Sequence, residues 1–138
     1  MSFSYKHKIR VRYAECDRMG FVHHSAFILY FEEARTEALR SLGLNYKEME
    51  DAGIIMPVRN MHVDFKKAGR YDDLLTLRVE INEKPGVRCK FNYHTYNEAG
   101  DHLNSGFTEL FFVKKDSLRP LSLPPPFSLV IEKHFNDN

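Results

Sequence analysis

Apolar and polar residues alternate near the start of the chain. One face of this segment carries Tyr5, His7, Ile9, Val11 and Tyr13, and the other carries Lys6, Lys8, Arg10 and Arg12. A period of two is typical of a half-buried β-strand. The pattern therefore predicts a strand over 5–13 at the edge of a sheet. We interpret its basic face as solvated charge rather than a nucleic-acid stripe.

A helical period follows, with apolar residues at Phe27, Tyr30, Phe31, Ala34, Ala38 and Leu42. This spacing predicts one long helix that begins near His24 or Ser25 and ends at Gly43, a residue suited to a C-cap. Residues 27–31 are all apolar. We therefore expect the first half of the helix to be covered on most sides, as a sheet wrapped around it would do.

The second half of the chain has the pattern of an antiparallel sheet. Asn45 and Glu48 suit a capping box for a short helix that ends near Gly53. Four strand-like runs follow at 57–66, 73–83, 87–97 and 102–114, and a last helical turn or two is predicted within 128–135. The connections between the last three runs are too short for crossover helices, so these runs should pair antiparallel. The prediction is an α+β domain with one strand, a long helix and a four-stranded meander.

Composition indicates an ordinary globular protein. The chain has 138 residues, 43% hydrophobic and 28% charged, which favours a single domain over 1–138. With a net charge of +1, the chain has no overall electrostatic field that would attract nucleic acid or anionic lipid, so a small molecule is the expected partner. The two cysteines are too few for a disulfide framework, and the N-terminal residues lack the apolar stretch of an export or membrane segment. We therefore expect a cytoplasmic protein.

Reactive side chains are densest between the first strand and the long helix: Glu15, Cys16, Asp17, His23 and His24. Asp17 precedes Gly20, which permits a sharp turn, and lies just before a helix N-terminus. Free N–H groups there would keep a carboxylate ionised and could polarise a carbonyl oxygen, which is a recipe for acyl transfer. The alternative is that Asp17 only caps the loop or the helix.

The neighbouring residues leave other readings open. Adjacent histidines point in different directions and no further ligand completes a site, so we expect no metal and no cofactor. His24 is either a buried, hydrogen-bonded side chain or one that orients the substrate or Asp17. Cys16 as a nucleophile is less favoured, because nothing fixes His23 or His24 against its sulfur. The serine elbow of α/β-hydrolases is absent from the sequence.

The stretch from Tyr13 to His24, followed by Phe27, Tyr30, Phe31, Glu32, Ala34, Arg35 and Glu37, resembles the 4-hydroxybenzoyl-CoA thioesterase-like family. It is most similar to the short acyl-CoA thioesterases associated with the Tol-Pal cluster. The resemblance implies a hotdog fold, in which a five-stranded antiparallel sheet wraps one central helix. It also implies homodimers or homotetramers with active sites between subunits. Asp17 would act as nucleophile or general base, the His24 N–H as oxyanion donor, and Tyr13 and the His24 side chain near the site.

The same resemblance implies substrate-binding positions at Gly20, Phe21, Val22, His23, Phe27 and Arg59. Cys16, His23 and Phe27 depart from the residues common in the family, which puts the acyl preference in doubt. For the CoA phosphates, Arg59, Lys66, Arg70, Arg88 and Lys90 are candidates, against ordinary surface charge. The expected reaction is hydrolysis of an acyl-CoA or acyl-carrier thioester. The rivals are an enoyl- or hydroxyacyl-thioester hydratase and a non-catalytic thioester-binding protein.

Overall fold

The computed structural model describes residues 2–135; positions 1 and 136–138, which the single-domain prediction includes, lie outside them. The strands are β1 (Phe3–Arg10), β2 (Ile54–Ile55), β3 (Val58–Phe65), β4 (Leu74–Ile81), β5 (Arg88–Tyr96), β6 (His102–Phe111) and β7 (Val113–Lys114). The helices are α1 (His24–Leu42), α2 (Tyr46–Asp51) and α3 (Phe127–Phe135). Within the described residues, no helix has the length and apolar character needed to cross a lipid bilayer.

Five strands form one antiparallel sheet in the order β1-β4-β5-β6-β3. On β4 and β5 buried residues alternate with partly exposed ones, as predicted, because successive side chains point to opposite faces. The buried face packs on α1, and the ring of Phe31 stacks on that of Tyr93 at 4.3 Å between centroids. This arrangement of a sheet around a long helix is the hotdog fold that the resemblance implied.

The predicted four-stranded meander is wrong, because only β4, β5 and β6 follow one another across the sheet. β3 pairs with β6, and β1 occupies the edge of β4 that a meander would leave for β3. Gly106 permits the observed pairing. A Cβ on this residue would lie 2.3 Å from the carbonyl oxygen of His62, so only glycine lets β3 approach so closely.

The first strand ends earlier than its period of two suggested. β1 stops at Arg10, and Tyr13–Glu15 forms a 3-10 turn instead of continuing the strand. Val11 still exchanges backbone hydrogen bonds with the β3–β4 loop, accepting from Asp72 N–H and donating to the Asp73 carbonyl. The Glu15 side chain accepts the Arg12 N–H at 2.8 Å, and this hydrogen bond closes the turn that follows the strand.

α1 begins at His24, one of the two predicted starts, and ends at the predicted cap. His23 is the N-cap, and Gly43 ends the helix with φ 100°, a left-handed conformation that favours glycine. The expectation that its first half is covered on most sides is wrong, since Ile28 is 46% exposed and Leu29 62%. Along one side, the sheet does not reach over these residues.

Two smaller elements complete the fold. The run predicted over 102–114 is divided into β6 and β7, and β7 pairs with β2, a two-residue strand that the pattern did not reveal. α2 has the predicted Asn45 cap, whose side chain accepts the Glu48 N–H at 3.1 Å. α3 is longer than the predicted turn or two.

Candidate functional site

A tight turn carries Asp17 between the 3-10 turn and α1. The Asp17 N–H donates to the Phe21 carbonyl at 2.8 Å, and the Gly20 N–H donates to the Asp17 carbonyl at 3.0 Å. Gly20 has φ 80°, which any other L-residue would adopt only with strain. The glycine spacing that drew attention to Asp17 in the sequence therefore shapes the loop.

The two carboxylate oxygens of Asp17 have different surroundings. Oδ1 accepts the N–H of Met19 at 2.9 Å and that of Phe21 at 3.2 Å. Oδ2 has no hydrogen-bond partner among residues 2–135. One oxygen thus holds the side chain in the turn, as the capping interpretation proposed, while the other has no partner within residues 2–135.

The start of α1 presents a free backbone donor. The His23 side chain caps the helix by accepting the Ser25 N–H at 3.2 Å, and the His23 N–H donates to the Glu15 carbonyl at 2.8 Å. The His24 N–H, by contrast, has no acceptor in the part of the chain that the structure describes. The two imidazole rings lie 4.1 Å apart between centroids. An acceptor oxygen placed before His24 would meet this unsatisfied donor.

The loop between β3 and β4 forms the opposite wall. The Val22 N–H donates to the Gly69 carbonyl at 2.8 Å, and Phe21 forms a β-bridge with Arg70. A cavity of about 360 Å³ lies between this loop and α1. It is lined by Asp17, Phe21, Val22, His24, Phe27, Phe65, Lys66, Lys67, Ala68 and Gly69.

The site thus combines a carboxylate with one free oxygen, a free helix N–H and a partly apolar cavity. A family model described as the Thioesterase-like superfamily matches residues 11–131. The chain belongs to this superfamily. The match contains the whole Asp17 loop, α1 and the sheet strands other than β1.

Individual relatives agree with this thioesterase-like assignment. The acyl-CoA thioesterase YbgC of Haemophilus influenzae is 32% identical over 117 residues, 84% of this chain and 85% of that protein. The acyl-CoA thioester hydrolase YbgC of Escherichia coli is 28% identical over 116 residues, 84% of this chain and 87% of its own length. The crystal structure of a DHNA-CoA thioesterase from Staphylococcus aureus superposes with a TM-score of 0.89, at 32% identity, covering 94% of this chain and 89% of that one.

The cavity beside Asp17 brings together some of the predicted residues and not others. Asp17, Phe21, Val22, His24 and Phe27 line it, while Gly20 and His23 lie in the adjoining turn and cap.

Two predicted positions are elsewhere in the single chain. Tyr13 is 78% exposed and packs edge-on against Tyr71. The Arg59 guanidinium lies over the Phe111 ring, 4.7 Å from its centroid. Neither lines the cavity, and their roles stay predictions.

Apart from Lys66, sequence reasoning overlooked the part of the wall contributed by the end of β3 and the β3–β4 loop. Phe65 forms an edge-to-face contact with Phe27, at 5.7 Å between ring centroids, and Lys67 and Ala68 line the same cavity. A Cβ on Gly69 would come within 3.1 Å of the Val22 side chain, so this glycine lets the two loops meet. The local signal in the sequence was Gly69 itself, a turn residue between two strand-like runs.

The two cysteines are poor nucleophiles. Burial raises the pKa of the Cys16 thiol, and the neighbouring carboxylates of Asp17 and Glu15 add to the shift. Burial alone raises the pKa of Cys89 to about 12. Both groups therefore stay as thiols near neutral pH.

Proposed function

We propose that this protein hydrolyses acyl-CoA or acyl-carrier thioesters to a free acid and a thiol. The observation that carries the proposal is the shared cavity of Asp17 and His24, in which Asp17 Oδ2 and the His24 N–H both lack protein partners within residues 2–135. Acyl transfer needs such a pair: a group that attacks or activates water, and a donor for the oxygen that becomes negative.

Two routes use these groups, and atoms balance in each. In the nucleophilic route, Asp17 Oδ2 bonds to the thioester carbon and the C–S bond breaks. A water then attacks the acyl-aspartyl anhydride: its hydroxyl goes to the acyl carbon, its proton goes to the released thiolate, and the Asp17 carboxylate is restored. In the general-base route, Asp17 takes a proton from a water whose oxygen attacks the same carbon, the C–S bond breaks, and the departing thiolate takes that proton from Asp17. In both, the His24 N–H stabilises the developing oxyanion.

The cavity walls suit a thioester with an apolar acyl group. Val22 and Phe27 are buried side chains, and Phe65 is 52% exposed at the mouth. Lys66 and Lys67 line the same cavity. Their ammonium groups contact His102 at 3.2 Å and Asp101 at 3.6 Å in the single chain, and would leave these partners to meet the phosphates of CoA. Of these two lysines, only Lys66 was a candidate for that role from the sequence.

A second copy of the chain supports the site in this proposal. β3 is an edge strand with free backbone groups, and its residues are exposed apart from the partly buried Val63. Met61 and Phe65 face the inner side of the sheet, opposite buried Thr108 and Asn104, yet they are 37% and 52% exposed. An uncovered apolar edge of this kind is typical of a subunit interface.

We therefore propose a homodimer formed through β3, or a homotetramer made of two such dimers. Met61→Asp should convert the assembly to monomer in sedimentation velocity. Leu129→Asp is the matched control, since Leu129 is 62% exposed on α3, outside this surface. A parent chain that sediments as a monomer would contradict the dimer.

Hydrolysis itself is tested with a panel of acyl-CoA esters and a reporter of free thiol. The parent should release CoA and acid in equal amounts, and Asp17→Asn should not. Asp51→Asn is the control, because Asp51 is an exposed carboxylate that pairs with Lys47 on α2. Its thiol release should match that of the parent.

The rival functions give different results in the same experiment. Addition of water to an enoyl-CoA, without thiol release, would identify a hydratase. Tight binding of acyl-CoA with no turnover by the parent would identify a binding protein. The cytoplasmic location and the association with the Tol-Pal cluster stay predictions.

A further inference from the structure

Glu15 joins three parts of the structure through its side chain. Its Oε1 accepts the Tyr30 O–H at 2.7 Å and the Arg12 N–H at 2.8 Å, while Oε2 accepts the Arg12 Nη2 at 2.8 Å. The Glu15 side chain is only 11% exposed, and Tyr30 is 3% exposed within α1. A largely buried carboxylate is therefore bonded to Arg12, two residues after β1, and to the second turn of α1.

The backbone of Glu15 adds a third connection. Its carbonyl accepts the N–H of His23, the N-cap of α1, at 2.8 Å. Asp17 follows two residues later, and His24 follows the cap directly. The position of Glu15 therefore determines the distance between the free carboxylate oxygen and the free helix N–H.

Tyr30 also contacts the cavity wall from behind. Its ring packs edge-on against Phe27, at 5.4 Å between centroids, and Phe27 lines the cavity. None of the polar atoms of Glu15, Arg12 or Tyr30 faces that cavity, because these three residues line a separate cleft on the other side of the loop, between β1 and α1. They cannot touch a substrate held at Asp17.

The charge states suit such a connection. Burial raises the pKa of Glu15, but hydrogen bonds from Arg12 and Tyr30 outweigh it and hold that pKa below the ordinary value. Burial and the hydrogen bond to Glu15 raise the pKa of Tyr30 well above that of a free phenol. Near neutral pH the pair is a carboxylate acceptor and a neutral hydroxyl donor, a charge-assisted bond of the stronger kind.

We propose that Glu15 and Tyr30 are positioning residues. They hold the 16–22 loop so that Asp17 Oδ2 lies near the carbon of a thioester carbonyl and the His24 N–H lies near its oxygen. This inference rests on the proposed hydrolase function. Displacing a reacting group by about 1 Å can cost about a hundredfold in rate, so loss of the bond should lower kcat rather than raise KM.

The test compares Tyr30→Phe, Glu15→Ala and Glu15→Gln in steady-state hydrolysis. We expect kcat to fall at least about tenfold in the first two, with KM within about threefold. Glu15→Gln should recover part of the loss, because its amide oxygen still accepts from the Tyr30 hydroxyl and the Arg12 N–H. In an Asp17→Asn background, Tyr30→Phe should lower the residual rate far less than it lowers the parent kcat, since there is no carboxylate left to position and only the His24 N–H remains.

Two control variants separate positioning from general stability. Tyr93→Phe removes another buried hydroxyl, which is bonded to Thr108 in the core. Glu37→Gln weakens an ion pair of the same i,i+3 type, with Arg40 on α1. Both should keep the parent kcat, and Tyr93→Phe should lose stability comparable to that lost by Tyr30→Phe.

A second readout does not depend on catalysis. Amide hydrogen exchange in 16–22 should accelerate in Tyr30→Phe and Glu15→Ala, and not in the controls. If the parent proves inactive on thioesters, the proposed function fails, and this exchange alone decides the role of Glu15. Parent-like exchange in 16–22, or an equal fall of kcat in Tyr93→Phe, would overturn the proposal. Should Glu15→Ala fail to fold, Tyr30→Phe, which deletes one oxygen atom, decides the outcome.

Discussion

Gly106 lies on β6 directly opposite Val63 of β3, where the two strands leave no room for a side chain. In Gly106→Ala, the new Cβ would lie 2.3 Å from the His62 carbonyl oxygen and 3.2 Å from the Val63 Cα. Carbon and oxygen atoms in sheets ordinarily approach to about 3.3 Å, so β3 must move by about 1 Å. Both close atoms belong to the backbone and cannot rotate away.

The expected cost follows from this displacement. Forcing an additional methyl group into a packed site costs roughly 1–3 kcal/mol. Replacing glycine by alanine also narrows the unfolded ensemble, which returns about 0.4–1 kcal/mol. We therefore expect Gly106→Ala to lose about 1–2 kcal/mol of unfolding free energy, or about 3–7 °C in Tm for a chain of this length. Because β3 leads into the loop that lines the cavity, turnover should fall as well.

Urea denaturation followed by circular dichroism measures the loss. Gly86→Ala is the matched control, since a Cβ there meets nothing within 4 Å and the residue is not in the left-handed region. It should unfold at or slightly above the parent midpoint. Unfolding of Gly106→Ala and Gly86→Ala at the same urea concentration would show that position 106 has room for a side chain.

Three further outcomes follow from the site and the sheet. Burial raises the pKa of Cys16, so Cys16→Ser should hydrolyse thioesters at a rate within about threefold of the parent's. Burial raises the pKa of Cys89 to about 12, so Cys89 should react with thiol reagents only after the chain unfolds. Burial and nearby positive charges lower the pKa of His102 from its ordinary value of 6.5. The unfolded chain therefore binds this proton more readily than the folded one, and the free energy of unfolding decreases as the pH falls below 6.5. His102→Gln should reduce the difference in unfolding free energy between about pH 7.5 and about pH 5.5. Gly20→Ala and Gly100→Ala replace glycines with φ 80° and 87°, so each should cost about 1–2 kcal/mol in thermal unfolding, whereas only Gly20→Ala should lower kcat. An inactive Cys16→Ser, an unchanged pH difference, or an equal fall in kcat for both glycine variants would contradict the respective argument.

Local patterns predicted the elements whose environment their own residues determine. β4 and β5 alternate cleanly because one face packs on α1 and the other does not. The end of α1 was predicted correctly because its cap is local, with Gly43 in the left-handed conformation, whereas the cap at its start, His23, was not predicted. The Asp17 turn was visible for the same reason, through the spacing to Gly20.

Pairing between distant segments was not visible in the same way. The position of β3 depends on β1 having taken the edge of β4, and on the close approach at Gly106. The same holds for the cavity. Lys67 and Ala68 reach it because Phe21 pairs with Arg70, a contact between residues far apart in the chain. No local period encodes such a contact.

The exposed apolar residues gave a misleading pattern. Ile28 and Leu29 extend the apolar run of α1, which predicted burial on most sides, but both are exposed in the single chain. A sequence does not distinguish burial within a chain from burial against a second copy. The same ambiguity applies to Tyr13, which is exposed here and predicted to act near the site.

The most direct test of the account is the single-turnover rate of Asp17→Asn with enzyme in excess over acyl-CoA, alongside the Kd for CoA. The asparagine keeps an oxygen to accept the Met19 and Phe21 N–H groups, so the loop should stay in place and the Kd should remain within about threefold of the parent. We expect the chemical step to slow by about a thousandfold or more. A rate within tenfold of the parent's would show that the Asp17 carboxylate does not carry out the reaction.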